Sequence, residues 1–128
     1  MKPFPRRFYH RPGDLFRDLR EIWRERRQVR MVMRGEALNP AFRERLMLAV
    51  TEVNGCRYCQ HAHARMALTA GLSEADVRDL AVGNLLGSPT EQVPALLYAQ
   101  HWAETEGRPD PEARRRILET YGSAQTEA

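Results

Sequence analysis

No stretch of this chain alternates apolar and polar residues with period two, and no two β-branched runs are joined by a hairpin turn. Apolar residues recur instead at helical spacing, and proline, glycine and capping residues cut that pattern into about six segments. The first follows Pro12-Gly13, with Asp14 placed to cap it, and carries Leu15, Phe16, Leu19, Ile22, Trp23, Val29 and Val32. Core or interface is the ordinary role for a Phe16 and a Trp23 in such a stripe. Asn39-Pro40 starts the second, an Asn cap with Pro at the first helical position. It runs through Phe42, Leu46, Leu48, Ala49 and Val50 to about Val53, where Asn54-Gly55 ends or interrupts it. The third begins at about Cys56 and stops at Gly71. Ser73 and Asp76 resemble a capping box for a fourth, expected to continue through Val77, Leu80, Leu85 and Leu86 to the break at Gly87-Ser88-Pro89. Pro94 lies in the first turn of a fifth, and a last helix is expected over about Pro111–Tyr121. The expected fold is an all-α, single-domain helical bundle with short connections.

A chain of 128 residues is one domain by the usual length prior and can bury roughly two thirds of its unfolded surface. The expected organisation is an extended arm over residues 1–12, a helical domain over 13–122 and a polar tail over 123–128 that frays. Phe4, Phe8 and Tyr9 are the residues able to hold the arm down. No run approaches the roughly 18 apolar residues of a membrane span. The basic start lacks an apolar segment behind it, so no secretory signal is expected and the expected location is cytoplasmic.

The net charge of +3 raises the question of nucleic acid. Arginines nevertheless interleave with acids, as in Arg17-Asp18-Leu19-Arg20-Glu21 and Arg43-Glu44-Arg45, the pattern of a solvated helix face. Neither a nucleic-acid partner nor a membrane is expected.

Chemistry concentrates in Cys56-Arg57-Tyr58-Cys59-Gln60-His61-Ala62-His63, which holds both cysteines of the chain. On a helix Cys56, Cys59 and His63 fall at i, i+3 and i+7, within roughly one sixth of a turn of one another. His61 points to the opposite side. Two thiols so spaced can close into a disulfide, and a helix N-terminus favours a thiolate by only about 0.3–1 kcal/mol. His63, one turn beyond Cys59, is spaced to take or hold a proton. Zinc is the competing use of two Cys and one His, but a closed site needs a fourth ligand, and His10 and His101 are remote in sequence. Covalent haem requires His directly after the second Cys, where Gln60 stands. Two buried structural thiols are the remaining alternative. A thioredoxin-type domain would need strands around the pair, and none are expected.

With Glu44 twelve residues before Cys56, the pattern becomes Glu-x11-Cys-x2-Cys-x3-His. That spacing, with Asn54-Gly55 ahead of it and Ala70-Gly71-Leu72-Ser73 behind, resembles the carboxymuconolactone decarboxylase superfamily and, within it, alkyl hydroperoxidase D. The likeness covers about residues 36 to 88. It implies an all-α protein assembled as a trimer or hexamer, and a thiol-dependent peroxidase or disulfide reductase without cofactor or metal. Its substrate would be a hydroperoxide or a disulfide, regenerated by an unidentified thiol reductant. In the roles the resemblance implies, Cys59 is the peroxide-attacking thiolate, Cys56 the proton donor and resolving thiol, and Glu44 and His63 the proton relay. Three features depart from the hydroperoxidase. Tyr58 occupies the place of a His between the cysteines, as a substitute relay group or a packing residue. A single motif is present, so assembly must use several copies, and the bundle is expected to end earlier than in longer relatives, which would continue past Tyr121, leaving apolar surface for partner subunits to cover. The same superfamily offers a rival function, a lyase acting on a lactone acid without a cysteine pair, and a non-enzymatic redox-sensing subunit is a further alternative.

Overall fold

A computed structural model describes residues 8–126, without the side chains of residues 124 and 125. It is all-helical: α1 Pro12–Met33, α2 Pro40–Asn54, α3 Arg57–Thr69, α4 Glu74–Ala81, α5 Val93–Glu104 and α6 Pro111–Thr126. The expected arm falls mostly on residues 1–7, which with Phe4 lie outside the described residues. Phe8 and Tyr9 are exposed, and the Tyr9 hydroxyl donates to Asp18 Oδ2 at 3.0 Å. Residues 127 and 128 of the expected tail also lie outside.

The central element is α2, which packs against α5, α3 and α4; α3 also packs on α4, and α6 on α5. Its phase is set by local chemistry. Asn39 accepts the Ala41 N–H on Oδ1 at 2.8 Å, and Pro40 occupies the first turn, where its missing N–H costs nothing. From that start Ala41, Glu44, Leu48 and Thr51 recur on the inward stripe. Leu48, Leu80 and Leu96 are the largest apolar side chains fully removed from water, joined by Ala49, Ala67, Leu72 and Val77. Burial of each large one is worth about 1.5–3 kcal/mol.

Gly55 closes α2 in the left-handed conformation, φ 64°, where a Cβ would be strained. The reversal lets the Cys56 N–H reach Thr51 O and makes Cys56 the N-cap of α3. Two helices are thereby joined with almost no loop, and the cystine sits at the joint.

The capping box at α4 is complete: Ser73 Oγ accepts the Asp76 N–H, and Asp76 Oδ2 accepts the Ser73 N–H and hydroxyl. The Ser73 hydroxyl and backbone N–H, then the Arg45 charge, outweigh the small cost of burial and hold the Asp76 carboxyl below its ordinary 3.8. A carboxyl depressed in the folded state contributes stability above its unfolded value and loses it as pH falls through the folded value. Denaturation midpoints measured from pH 5 down to pH 2 should therefore fall below about pH 4, and Asp76→Asn should flatten that slope. An unchanged slope in the variant would remove Asp76 as a source of the acid sensitivity.

Three boundaries differ from those expected. The first helix starts at Pro12; Arg11 occupies the cap position without a side-chain bond, and Asp14 lies in the first turn, paired with Arg17 at 3.1 Å. None of its apolar residues enters the core, and Phe16 and Trp23 are 70% and 64% exposed. The fourth helix stops at Ala81, because residues 82–88 turn away: Gly83 takes a positive φ, Leu85 is half-buried and Leu86 is exposed. The last helix continues to Thr126 across a kink at Gly122, φ 76°.

Candidate functional site

The site is built where the second turn of α2 faces the start of α3. Cys56, in the extended N-cap conformation, and Cys59, in the first turn of α3, are bonded to each other, with Cα atoms 5.3 Å apart. Both are half-buried. The sulfurs are not equivalent. Cys56 Sγ accepts the Cys59 N–H at 3.2 Å, at the helix end where free N–H groups favour negative charge. Cys59 lies one helical turn from His63, a neighbour on the same face.

Glu44 is 1% exposed, and its two oxygens are both engaged. Oε1 accepts from Arg43 Nε at 2.9 Å and Nη2 at 2.8 Å, a two-pronged charge-assisted contact. Oε2 lies 2.8 Å from His63 Nδ1. With Glu44 ionised beside Arg43, Nδ1 carries the hydrogen of this contact, and in the neutral form of the ring the lone pair is then on Nε2. Arg43 Nη1 also donates to Met33 O at 3.0 Å and Val32 O at 3.3 Å, at the C-terminal end of α1. The guanidinium thus satisfies both a buried carboxylate and the open carbonyls of a helix end.

The structure brings Glu44 and His63 together, closes Cys56 on Cys59, and separates the other candidates. Tyr58 is 85% exposed, with its hydroxyl bonded to no described group, so the phenol is not the packing residue that its type suggested. His61 is exposed. His101 pairs with Asp110 at 2.8 Å in the α5–α6 turn. Arg43 is the residue that sequence reasoning missed. Arg43-Glu44-Arg45 looks like a solvated face, yet Glu44 is buried and Arg45 nearly so, its guanidinium approaching Asp76 at 3.9 Å. A buried Glu needs a cation in reach, and that requirement points to an adjacent arginine once burial is known.

Cavities border the site. A groove of about 590 Å³ between α2 and α3 is lined by Pro40, Arg43, Ala62, Arg65 and Met66, among others. Another of about 480 Å³ is lined by Glu52, Gly55, Arg57, Gln60 and Glu104, among others. With the sulfurs joined, the remaining donors are one imidazole and one carboxylate bonded to each other. The arrangement can therefore hold and pass a proton beside a cystine that opens to two thiols.

The family model for carboxymuconolactone decarboxylase matches residues 18–105, a span that includes Glu44, both cysteines and His63. No curated protein and no solved structure matches the chain.

Proposed function

From the premise that this chain belongs to the carboxymuconolactone decarboxylase family, we propose that it is a thiol-dependent oxidoreductase that reduces hydroperoxides, or a partner's disulfide, through Cys56 and Cys59. The observation that carries this reading is a half-buried cystine at a helix start, one turn from an imidazole held by a buried carboxylate. A lyase has no evident use for such a pair.

In the reduced enzyme, the Nε2 lone pair of His63 accepts the Cys59 proton. The Cys59 thiolate attacks the outer oxygen of a hydroperoxide, the O–O bond breaks, and the alkoxide takes a proton to leave as an alcohol. Cys59 becomes a sulfenic acid. The Cys56 thiol then displaces water and forms the disulfide seen here. An external dithiol returns the two electrons, attacking Cys59 Sγ while Cys56 leaves as thiolate. The Cys59 N–H on Cys56 Sγ stabilises that leaving sulfur, which speeds exchange. Arg43 and Glu44 position His63 and do not touch substrate.

Free thiols should number two per chain after reduction and none after one equivalent of an organic hydroperoxide, with one alcohol released per disulfide. With excess dithiol the cycle should turn over. Thiols that stay free under excess peroxide in a folded protein would end this reading.

A further inference from the structure

The groove between α2 and α3 lies beside the cystine, and the proton relay does not use it. Its volume, about 590 Å³, is that of a small-molecule site and far more than hydrogen peroxide would fill. Pro40, Ala62, Met66 and Ala70 give it an apolar floor, Arg43 and Arg65 are the charged residues of its lining, and no acid joins them. On α3 that floor is one stripe: Cys59, Ala62, Met66 and Ala70 fall at i, i+3, i+7 and i+11. Cys59 therefore stands at the head of the groove, with Ala62 on one flank of its helix face and His63 on the other. Met66, unbranched and polarizable, adapts to chains of varied shape.

The two arginines are not equivalent. Arg43 is committed: its Nε and Nη2 hold Glu44, whose charge balances it, and its Nη1 holds the Val32 and Met33 carbonyls. Arg65 is exposed, and its guanidinium has no carboxylate partner among the described residues. It lies six residues beyond Cys59, a rise of about 9 Å along the helix. One uncompensated cation at the edge of an apolar groove selects a ligand with an anion at one end and a hydrocarbon chain behind it. The planar guanidinium matches a carboxylate in particular.

We propose that this groove binds hydroperoxides that bear a free carboxylate, oxidised fatty acids as a class, with the carboxylate on Arg65, the chain over Ala62 and Met66, and the peroxide at Cys59. This names a substrate class for the redox site and rests on that reading. The Cys59 thiolate takes the outer oxygen, the O–O bond breaks, and the alkoxide leaves, once protonated, as the hydroxy acid. Arg65 touches the part of the substrate that does not react, so it sets specificity. It holds bound substrate and transition state alike, and its loss falls on KM. Esterified lipid hydroperoxides lack the carboxylate and are the disfavoured source.

Linoleic acid hydroperoxide and its methyl ester share one chain and differ in charge. With excess dithiol, below the concentrations at which either forms micelles, kcat/KM should favour the acid by about fivefold, the scale of one exposed charge pair. The preference should shrink as salt is raised. Arg65→Gln should abolish it through KM, and Arg65→Lys should restore part of it. Arg65 is exposed, so circular dichroism should show both variants folded. Linoleate itself, which carries no peroxide, should bind the disulfide form, and Arg65→Gln should weaken that binding by the same factor. Equal rates on acid and ester, or a preference that survives Arg65→Gln, would overturn the proposal. Failure of the redox reading looks different: acid, ester and cumene hydroperoxide are all left unreduced. In that event Arg65-dependent binding of linoleate upholds the groove as a carboxylate site, and its absence overturns that too.

Discussion

Cys59→Ser is expected to lower peroxide turnover by about 10³-fold or more, the scale of loss when a nucleophile is removed. Cys56→Ser is expected to differ in kind. It should consume one equivalent of hydroperoxide, accumulate a sulfenic acid on Cys59 and stop, because no resolving thiol is present to displace water. A trapping reagent for sulfenic acids, read by mass, distinguishes the two variants. Stability is not expected to confuse the result. The disulfide joins residues only three apart, and the stabilisation from constraining an unfolded chain shrinks with the length of loop closed. Trapping on Cys56 in the Cys59→Ser variant, at the rate of the converse, would sink the role assignment. That outcome has a physical route. The N–H bond to Cys56 Sγ favours a thiolate there, whereas the neighbouring imidazole favours one at Cys59. The assignment to Cys59 rests on a proton acceptor being worth more than a fixed dipole, since only the acceptor can remove the proton as the attack occurs.

Much of this architecture is legible because it is written in neighbouring residues. Asn39-Pro40 and Ser73 with Asp76 specify helix starts through bonds spanning two or three positions, and the structure makes those bonds. Gly55 specifies a reversal by the same local means. Where the signal is apolar spacing alone, it misleads. Leu85 and Leu86 continue the period of α4, but the backbone leaves the helix at Val82, and Leu86 turns to solvent. Spacing also shows that α1 has an apolar face without showing what covers it. The candidate site divides likewise. Cys56 and Cys59 are local, but the Glu44–His63 contact joins residues nineteen apart on two helices. Local helix geometry could not supply that pairing, and only the resemblance to a known spacing pointed to Glu44. Arg43 was hidden for a related reason: an Arg-Glu-Arg run has the same composition whether its middle carboxylate faces water or the core.

Glu44→Gln should separate chemistry from stability, and the reason lies in hydrogen-bond direction. The wild-type carboxylate accepts on both sides, from Arg43 and from His63 Nδ1–H. An amide accepts on one side only. The guanidinium has nothing but donors, so the amide oxygen must face Arg43 and the NH₂ must face His63. Nδ1 then has to accept, and the ring proton moves to Nε2. The nitrogen available to Cys59 thereby loses its lone pair, and turnover should fall by about 10²–10⁴-fold, as when the carboxylate behind another catalytic imidazole is made an amide. Shape and hydrogen bonding are retained, so the unfolding midpoint should move little. Glu44→Ala should behave otherwise, losing turnover and also about 2 kcal/mol of stability. That is below the usual cost of breaking a buried ion pair, because the Arg43 and His63 side chains keep 17% and 21% of their surface in water. Denaturant unfolding beside peroxide kinetics measures the split. If Glu44→Gln turned over at the wild-type rate, Glu44 would serve only to bury Arg43's charge, and His63 would not need its tautomer held. If Glu44→Gln instead lost as much stability as Glu44→Ala, the fall in turnover could be charged to unfolding and the tautomer argument would fail.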